Sequence, residues 1–295
     1  MKKLFSLFLA LFASVIAIHA ATKVDGIWYL FYDDGTAYVT YRGSYSGEYD
    51  NEYSGSVTIP ETVTYKGTTY SVIRISYEAF SGCSSLKSVT IGNNVTSIGE
   101  GAFWDCTSLT SVTIGSSVMG IGLDAFRNTG IYNDESNWEN RVLYIDNCLI
   151  AAKTDISGAY TIKDNTRLIA EYAFNGCSSL TSVKIGSGVT SIGNYAFDGC
   201  DKLYEVYCYT PEPPTAYESS FSQYNAFLYV PCDSKKAFMI DDVFGNFKYI
   251  ECVESDANAV DNVTIPQNDV QKILRDGQMS IIRDGKRYNA IGQEL

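Results

Sequence analysis

Apolar residues recur along this chain in a pattern with a period of 23 residues. Segments that begin at Cys83, Cys106 and Cys177 follow one template, C-x-x-L-x-x-V-x-I-G-x-x-V-x-x-I-G-x-x-A-F. The L, V and I positions of the first half predict a short strand, because apolar positions recur there with polar residues between them. The second V and I predict another short strand, and the glycine after each strand predicts a turn.

A strict period of this length predicts a solenoid, in which each coil buries its apolar side chains against its neighbours. Coils stacked at the strand spacing of about 4.8 Å form two parallel sheets, with a line of Phe side chains along one corner. Residues 57–80, 160–174 and 200–206 match the template less closely. We therefore expect about six coils of 23 residues, made mostly of short parallel β-strands with little helix.

Two insertions interrupt the period. The upstream coil contains extra residues around Tyr65-Lys66-Gly67-Thr68, which predict a hairpin turn. Phe126 and Phe174 lie 48 residues apart, or one coil and an insert at about residues 127–151. This insert has two apolar runs around Asp146-Asn147, so we expect it to project as a second hairpin.

The ends of a solenoid need caps, because a bare last coil would expose a sheet edge and apolar core. Residues 21–56 alternate around Asp34-Gly35, which predicts an N-terminal β cap before a solenoid at residues 57–221. Residues 222–254 are expected to form the C-terminal cap, with Phe227–Pro231 as the final strand. A short helix should follow that strand, with its apolar side over the last coil: Phe238, Val243, Phe244, Phe247.

The two termini differ in composition from the body. Lys2 and Lys3 precede an apolar run that ends near Ala20, which predicts a secretory signal peptide at residues 1–20. No later segment has the run of about 18 apolar residues that spans a bilayer. Residues 255–269 are polar and are interpreted as a linker before a distinct tail at residues 270–295.

Charge and histidine content exclude several functions. Loss of Lys2 and Lys3 with the signal peptide changes the net charge from −12 to −14, and so acidic a chain repels phosphate backbones. His19 is the only histidine and leaves with the same segment, which excludes Ser-His-Asp and Cys-His catalysis and His-containing zinc sites. We therefore predict no catalytic, cofactor or metal site. Composition alone leaves a two-carboxylate glycan hydrolase open.

The eight cysteines fall into two groups. Four recur at one position of the template, where we expect buried structural thiols that satisfy turn backbone groups: Cys83, Cys106, Cys177, Cys200. The other four allow three disulfide pairings: Cys148, Cys208, Cys232, Cys252. The pair Cys232–Cys252, across the cap helix, is the one that we favour.

Outward positions of the first strands are the candidate partner-binding surface. They form a plain Ser/Thr face that becomes aromatic and charged in the last coil: Ser88, Thr90, Ser111, Thr113, Ser182, Lys184, Tyr204, Glu205, Tyr207, Tyr209. Tyrosine also clusters at both ends of the chain, and its apolar ring with a polar tip suits protein or sugar recognition. Carbohydrate binding through these Tyr-rich ends is the alternative function.

The A-F-x-x-C-x-x-L-x-x-V-x-I core resembles the BspA-like leucine-rich repeats of bacterial surface proteins over residues 57–250. The segment PEPPTAYESSF…LYVP is similar to the usual end of such arrays. The resemblance implies an α/β leucine-rich-repeat solenoid, or horseshoe, displayed outside the cell. It also implies binding to a protein partner, such as a host extracellular-matrix or bacterial surface protein, and adhesion. No family motif marks individual binding residues.

The end of the chain, KILRDGQMSIIRDGKRYNAIGQEL, resembles the terminal sorting segments of the type IX secretion route. This resemblance implies that the tail is an export address outside the functional body.

Overall fold

The structure is a computed structural model that describes residues 20–43 and 51–253. It also describes the backbone of three strands between residues 271 and 289. The chain divides into two compact units, Met1–Val253 and Glu254–Leu295. The signal peptide falls almost wholly outside the described residues, and the linker at residues 255–269 falls outside them entirely.

Strands dominate the first unit. In chain order they are β1 (Thr22–Val24), β2 (Ile27–Phe31), β3 (Thr36–Thr40), β4 (Gly55–Ile59), β5 (Thr62–Tyr65), β6 (Thr68–Ile75), β7 (Leu86–Ile91), β8 (Ser97–Ile98), β9 (Ser111–Thr113), β10 (Gly120–Ile121), β11 (Trp138–Glu139), β12 (Val142–Ile145), β13 (Cys148–Ala152), β14 (Ser157–Thr161), β15 (Leu168–Ile169), β16 (Ser179–Ile185), β17 (Ser191–Ile192), β18 (Glu205–Cys208), β19 (Phe227–Pro231) and β20 (Tyr249–Val253).

Helix is limited to short segments, as predicted. The α-helices are α1 (Gly130–Asn133) and α2 (Lys235–Ile240), and the 3-10 helices are Glu135–Asn137, Glu218–Ser220, Cys232–Ser234 and Phe244–Asn246. The second unit is a three-stranded antiparallel sheet in the order β21 (Gln271–Arg275), β22 (Gln278–Arg283) and β23 (Lys286–Asn289).

The first strands of successive repeats stack in parallel and in register. One sheet has the order β4-β7-β9, and Val57, Val89 and Val112 lie opposite one another in it. A second sheet has the order β14-β16-β18-β19-β20, with all pairs parallel. The predicted alternation therefore places one set of side chains inward and the neighbouring set outward.

The second strands of the repeats form two further sheets. One has the order β1-β2-β3-β6-β8-β10, with β5 also on β6, and the other has the order β11-β12-β13-β15-β17. Strands β2 and β3 form the antiparallel hairpin predicted around Asp34-Gly35, and β5 and β6 form the one predicted around Lys66-Gly67. Because β3 pairs in parallel with β6, the N-terminal hairpin continues the stack of repeats.

The line of Phe side chains predicted from the template lies in the core. Phe80 stacks on Phe103 with ring centroids 5.0 Å apart, and Phe103 stacks on Phe126 at 5.3 Å. The same stacking recurs at 5.1 Å from Phe174 to Phe197, and again from Phe197 to Phe221. Full burial of one such side chain contributes roughly 1.5–3 kcal/mol, so this column is a principal source of stability.

The cysteines lie as the template predicts. The four column cysteines are buried thiols, and Cys148 and Cys208 are also buried thiols. Cys232 and Cys252 form the disulfide that the sequence favours, with Cα atoms 4.6 Å apart.

The insert departs from the expectation of a projecting hairpin. β12 and β13 do form an antiparallel pair, but β13 also pairs in parallel with β15 and so belongs to a sheet of the body. The reason is the apolar content of β13, where Cys148, Leu149 and Ile150 are buried. The apolar runs that predicted a hairpin thus supply a strand to the core.

The last strand also differs from the prediction. Phe227–Pro231 is a strand, but β20 pairs with it in parallel and follows it in the sheet. Parallel strand pairing therefore continues past residue 221, through residues expected to form only a cap. The short helix is present as α2, where Phe238 is buried, while Phe244 lies in a following 3-10 helix. The template does not predict β20, because the sequence of this strand, YIECV, is not preceded by the C-x-x-L start of the repeats.

Candidate interaction surface

The outer face of the N-terminal first-strand sheet is a ladder of hydroxyl groups. Register places Ser56, Ser88 and Ser111 in one row, and the Ser88 hydroxyl donates to Ser56 Oγ over 2.7 Å. Thr90 and Thr113 lie opposite each other in the next row, and both are exposed. Hydroxyls that bond to one another or to water leave this face polar and without an apolar anchor.

The outer face of the C-terminal first-strand sheet is aromatic. Register aligns Lys184 on β16 with Tyr207 on β18, Tyr229 on β19 and Glu251 on β20. The neighbouring row follows the same strands: Ser182, Glu205, Phe227, Tyr249. We call the four rings of these two rows the aromatic ladder: Tyr207, Phe227, Tyr229, Tyr249.

The rings of the aromatic ladder stack across adjacent strands. Tyr207 and Tyr229 lie with ring centroids 4.6 Å apart and an interplanar angle of 15°. Phe227 and Tyr249 stack at 4.7 Å with an angle of 16°. All four side chains are half-buried, so each ring is held by its neighbours while part of it remains accessible.

Charged side chains border the aromatic ladder. The Lys184 ammonium lies 5.8 Å from the ring centroid of Tyr207, and the Lys248 ammonium lies 5.2 Å from that of Tyr249. Burial raises the pKa of the Tyr207 phenol, and the nearby carboxylate of Glu205 raises it further. Tyr207 therefore stays protonated at neutral pH, and its hydroxyl donates to Glu205 Oε2 over 3.5 Å.

The structure brings some of the sequence-predicted surface residues together and separates others. Lys184, Glu205, Tyr207 and Tyr209 lie within or beside the aromatic ladder, and Tyr207 and Tyr209 have ring centroids 6.3 Å apart. Tyr204 is 41% exposed just before β18. Four of the Ser/Thr residues in the predicted set lie on the N-terminal first-strand sheet: Ser88, Thr90, Ser111, Thr113.

Ser182 does not have the accessibility expected of an outward residue. It is only 8% exposed, and it lies in register between Ala159 of β14 and Glu205 of β18.

Three rings of the aromatic ladder are absent from the sequence-predicted set: Phe227, Tyr229, Tyr249. The signal that could have found them is the alternation in FLYVP and YIECV, which repeats the outward positions of β18. Tyr207 to Tyr229 spans 22 residues, as does Phe227 to Tyr249, so the last repeats depart from the period of 23.

No three His, Cys, Asp or Glu side chains within the described ranges, residues 20–43 and 51–253, are grouped so that they could hold a metal ion. None of the helices that the structure describes has the length and apolar character needed to cross a membrane.

Solved structures of bacterial leucine-rich-repeat proteins resemble this chain. A leucine-rich-repeat protein of T. pallidum is 21% identical, with 63% of this chain and 81% of that chain covered and a TM-score of 0.36. One from Bacteroides ovatus is 24% identical, with 78% and 52% covered and a TM-score of 0.37. A leucine-rich cell surface protein of Faecalibacterium prausnitzii is 18% identical, with 81% and 96% covered and a TM-score of 0.29.

The repeats themselves assign the family. No curated protein matches the chain in sequence. The sequence model of the BspA type leucine-rich repeat region, however, matches residues 49–160 and 157–264 with six copies. This match spans most of the chain and includes the template segments at Cys83, Cys106 and Cys177. The chain belongs to the family of proteins with BspA type leucine-rich repeats.

Proposed function

We propose that this chain is a secreted or cell-surface protein that binds a protein partner through the outer face of its C-terminal first-strand sheet. The aromatic ladder carries the proposal. Large, pre-ordered aromatic side chains flanked by charges are the usual energetic centre of a protein interface. Their ring stacking is present before binding, so little side-chain entropy is lost when a partner docks.

The partner class follows from the same face. Lys184 and Glu205 give the rim both signs of charge, while the rings give it an apolar centre. A typical interface needs about 800 Å² per partner, which requires contacts beyond the aromatic ladder along the neighbouring strands. A folded protein on another cell or in the host extracellular matrix fits such a flat, extended surface, and adhesion is the corresponding role.

Carbohydrate binding is the second candidate, because aromatic rings are also the usual platforms for sugars. The orientation of the rings weighs against it. Tyr207 has Tyr229 against one face and the Lys184 ammonium on the side of the preceding strand. A sugar needs an open ring face, and Tyr207 has a neighbour on each side along the sheet.

A binding role without catalysis is part of the proposal. Proteins built from such repeats typically act as scaffolds for protein binding, and the sequence after residue 20 contains no histidine. The expected six-coil horseshoe would carry its first strands in two sheets, β4-β7-β9 and β14-β16-β18-β19-β20.

Export from the cell is also proposed. Residues 1–20 would direct secretion, and residues 270–295 would act as a type IX sorting tail after the linker. Removal of residues 255–295 should then abolish surface localisation in the native host and leave partner binding by the purified protein unchanged.

The test is capture of partners by residues 21–295 from extracellular-matrix and bacterial surface extracts, with each captured protein then purified and measured by titration. Tyr207→Ser combined with Tyr229→Ser should weaken binding by at least about tenfold, as expected for central interface aromatics. Tyr77→Ser is the matched control, because Tyr77 is 51% exposed and lies outside the aromatic ladder.

Equal affinity of the double variant and the control would refute the proposed face. Binding on a glycan array that is lost in the same double variant would favour the carbohydrate alternative. An array negative for all sugars would remove that alternative.

A further inference from the structure

The hydrogen-bond ladder along the Phe corner is interrupted at the insert. In regular repeats the Phe amide donates to the Ala carbonyl of the next repeat. Phe80 donates to Ala102 over 2.8 Å, and Phe103 donates to Ala125 over the same distance. The residues two before and two after Phe80, Phe103 and Phe174 donate to backbone carbonyls in the same way, so each of these corners contributes three parallel bonds.

At the third corner these three donors have no acceptor within the described part of the chain: Asp124, Phe126, Asn128. Their backbone has the conformation of the regular corners, with φ of 55° at Asp124 and 58° at Asn128, against 60° at Gly101 and 58° at Asp105. The Gly101 and Asp105 amides donate to Leu123 and Arg127 of the next repeat. The three amides of the third corner therefore face a neighbouring part of the chain that supplies no carbonyls for them.

The opposite wall has the complementary deficit. By the regular pattern, the carbonyls of Glu171, Ala173 and Asn175 would accept from a preceding corner. Only Ala173 does so, from the Ala152 amide at the end of β13, while the Glu171 and Asn175 carbonyls have no backbone donor in the described residues. One wall thus offers three amides and the other offers two carbonyls.

A cleft separates these walls. It has a volume of about 200 Å³, and Ala151 and Ala152 line it between the two corners. A bond of 3.0 Å from the Glu171 amide to the Ile121 carbonyl joins the repeats near one end. An unpaired backbone group away from water costs free energy, so a row of them favours a partner that pairs with them.

We propose that this cleft binds a segment of another polypeptide, which pairs with the open edge of the third corner. Carbonyls of the segment accept from the amides of Asp124, Phe126 and Asn128. On the opposite wall Ala152 already occupies the Ala173 carbonyl, so the segment donates only to the Asn175 carbonyl, away from the bond between Glu171 and Ile121.

The segment takes the turn conformation of the regular corners, because an extended strand presents both carbonyls and amides on each edge. Main-chain bonds supply affinity and pockets select side chains, as in other additions to an open backbone edge. A row of carbonyls matches the three amides, which a sugar or a lipid does not.

The lining defines the segment further. A cavity of about 200 Å³ has room only for small side chains in its centre, beside Ala151 and Ala152. Asp124 pairs with Arg127 over 3.1 Å, whereas Glu171 has no cationic partner among the described residues and accepts a bond from Asn194. We therefore expect small central residues flanked by Lys or Arg, since the net charge of the lining is negative.

This site is separate from the aromatic ladder, because none of its lining residues belongs to the C-terminal first-strand sheet. The two sites can therefore be tested independently. Failure of one leaves the other standing.

The experiment pans a random nine-residue peptide library on residues 21–295 and follows backbone amide exchange by NMR with and without the selected peptide. In the free protein the amides of Asp124, Phe126 and Asn128 should exchange much faster than that of Phe103. The selected peptide should slow all three. The same peptide with one N-methyl group should bind about tenfold more weakly when the methylated nitrogen is the one that faces the Asn175 carbonyl.

A filled cleft provides the matched variant. Ala151→Leu should weaken the peptide by about tenfold or more, because the new side chain occupies the cavity. Ala159→Leu, the same change at an exposed position of β14, should leave affinity unchanged. The double variant in the aromatic ladder should also bind the peptide normally.

Three results would overturn the proposal. They are a library that yields no peptide, a peptide that leaves the three amides unprotected, and a peptide whose binding is lost in the aromatic-ladder variant but not on N-methylation. The exchange and N-methylation measurements use the unmodified protein, so they decide the matter even if Ala151→Leu fails to fold.

Discussion

The Sγ atom of Cys106 lies 3.0 Å from the carbonyl oxygen of Phe80 in the preceding repeat and donates a hydrogen bond to it. The same bond recurs in another part of the stack, from Cys200 to Phe174 over 3.2 Å. Both carbonyls belong to the tight corner that carries the buried Phe. Each carbonyl also accepts from a backbone amide, Phe80 from Cys83 N–H and Phe174 from Cys177 N–H, so the thiol supplies a second hydrogen bond to the corner.

Replacement of this donor should therefore cost more than its volume suggests. Cys200→Val keeps a small apolar side chain but leaves the Phe174 carbonyl with only its bond from the Cys177 amide, and it should lower the free energy of unfolding by about 0.5–1.5 kcal/mol. Cys200→Ser retains a donor and should cost less. Urea unfolding followed by circular dichroism measures both, and equal losses for the two variants would contradict the role of the hydrogen bond.

The sequence predicts the structure correctly where the chain follows the 23-residue template. Positions that have the same structural role in every repeat, such as Cys106 and Phe103, can be recognised in the sequence because that role recurs every 23 residues. β13 and β20 were misjudged for the opposite reason. They complete sheets without the template, and only their burial or register in the folded chain shows it.

The candidate sites show the same division. The sequence indicated Lys184, Glu205 and Tyr207, which lie in a recognisable coil. It missed Phe227 and Tyr249, because stacking across strands depends on register that a change of period obscures. The sequence could not predict the cleft at the insert, since the cleft is defined by backbone groups and not by side chains.

Close stacking of repeats should make Gly122 intolerant of any side chain. A Cβ at this position would lie 2.5 Å from the Glu100 backbone nitrogen, a distance that backbone cannot relieve without moving a repeat. Gly122→Ala should therefore lower stability by about 1–3 kcal/mol or more. Gly120→Ala is the matched control, because its Cβ would meet nothing within 4 Å and it should be neutral or slightly stabilising. Thermal melts of the two variants make the comparison, and similar melting temperatures would refute the close approach.

The disulfide between Cys232 and Cys252 should contribute measurably to the stability of the C-terminal repeats. It closes a loop across a sequence separation of 20 residues and links the turn after β19 to β20. A loop of this size is worth about 3 kcal/mol through its effect on the unfolded chain. The double variant Cys232→Ala with Cys252→Ala should melt several degrees lower than the parent protein.

Reduction provides the control for that variant. Dithiothreitol should lower the melting temperature of the parent protein by a similar amount and leave the double variant unchanged. A reductant effect that persists in the double variant would locate the sensitive disulfide elsewhere.

Buried thiols should make the protein lose stability in mildly alkaline solution. Burial raises the pKa of Cys148 and of Cys208 from the ordinary value of 9.0 to about 11. For Cys177 and Cys200, burial is again the main cause and raises the pKa to about 12. Between pH 9 and 11 the unfolded chain releases thiol protons that the folded chain retains. The folded state then binds more protons, so the free energy of unfolding falls as the pH rises.

Each such thiol contributes a slope of up to about 1.4 kcal/mol per pH unit above its unfolded pKa. Urea unfolding at intervals from pH 7.5 to pH 10 should show a plateau followed by a decline, before tyrosine ionisation in the unfolded chain adds to the loss. Cys148→Ala removes one titrating group and should make the decline shallower by about one thiol's share, whatever its effect on stability at neutral pH. A free energy of unfolding that stays level up to pH 10, or an equal slope in the variant, would show that these thiols ionise as readily in the folded protein as in the unfolded chain.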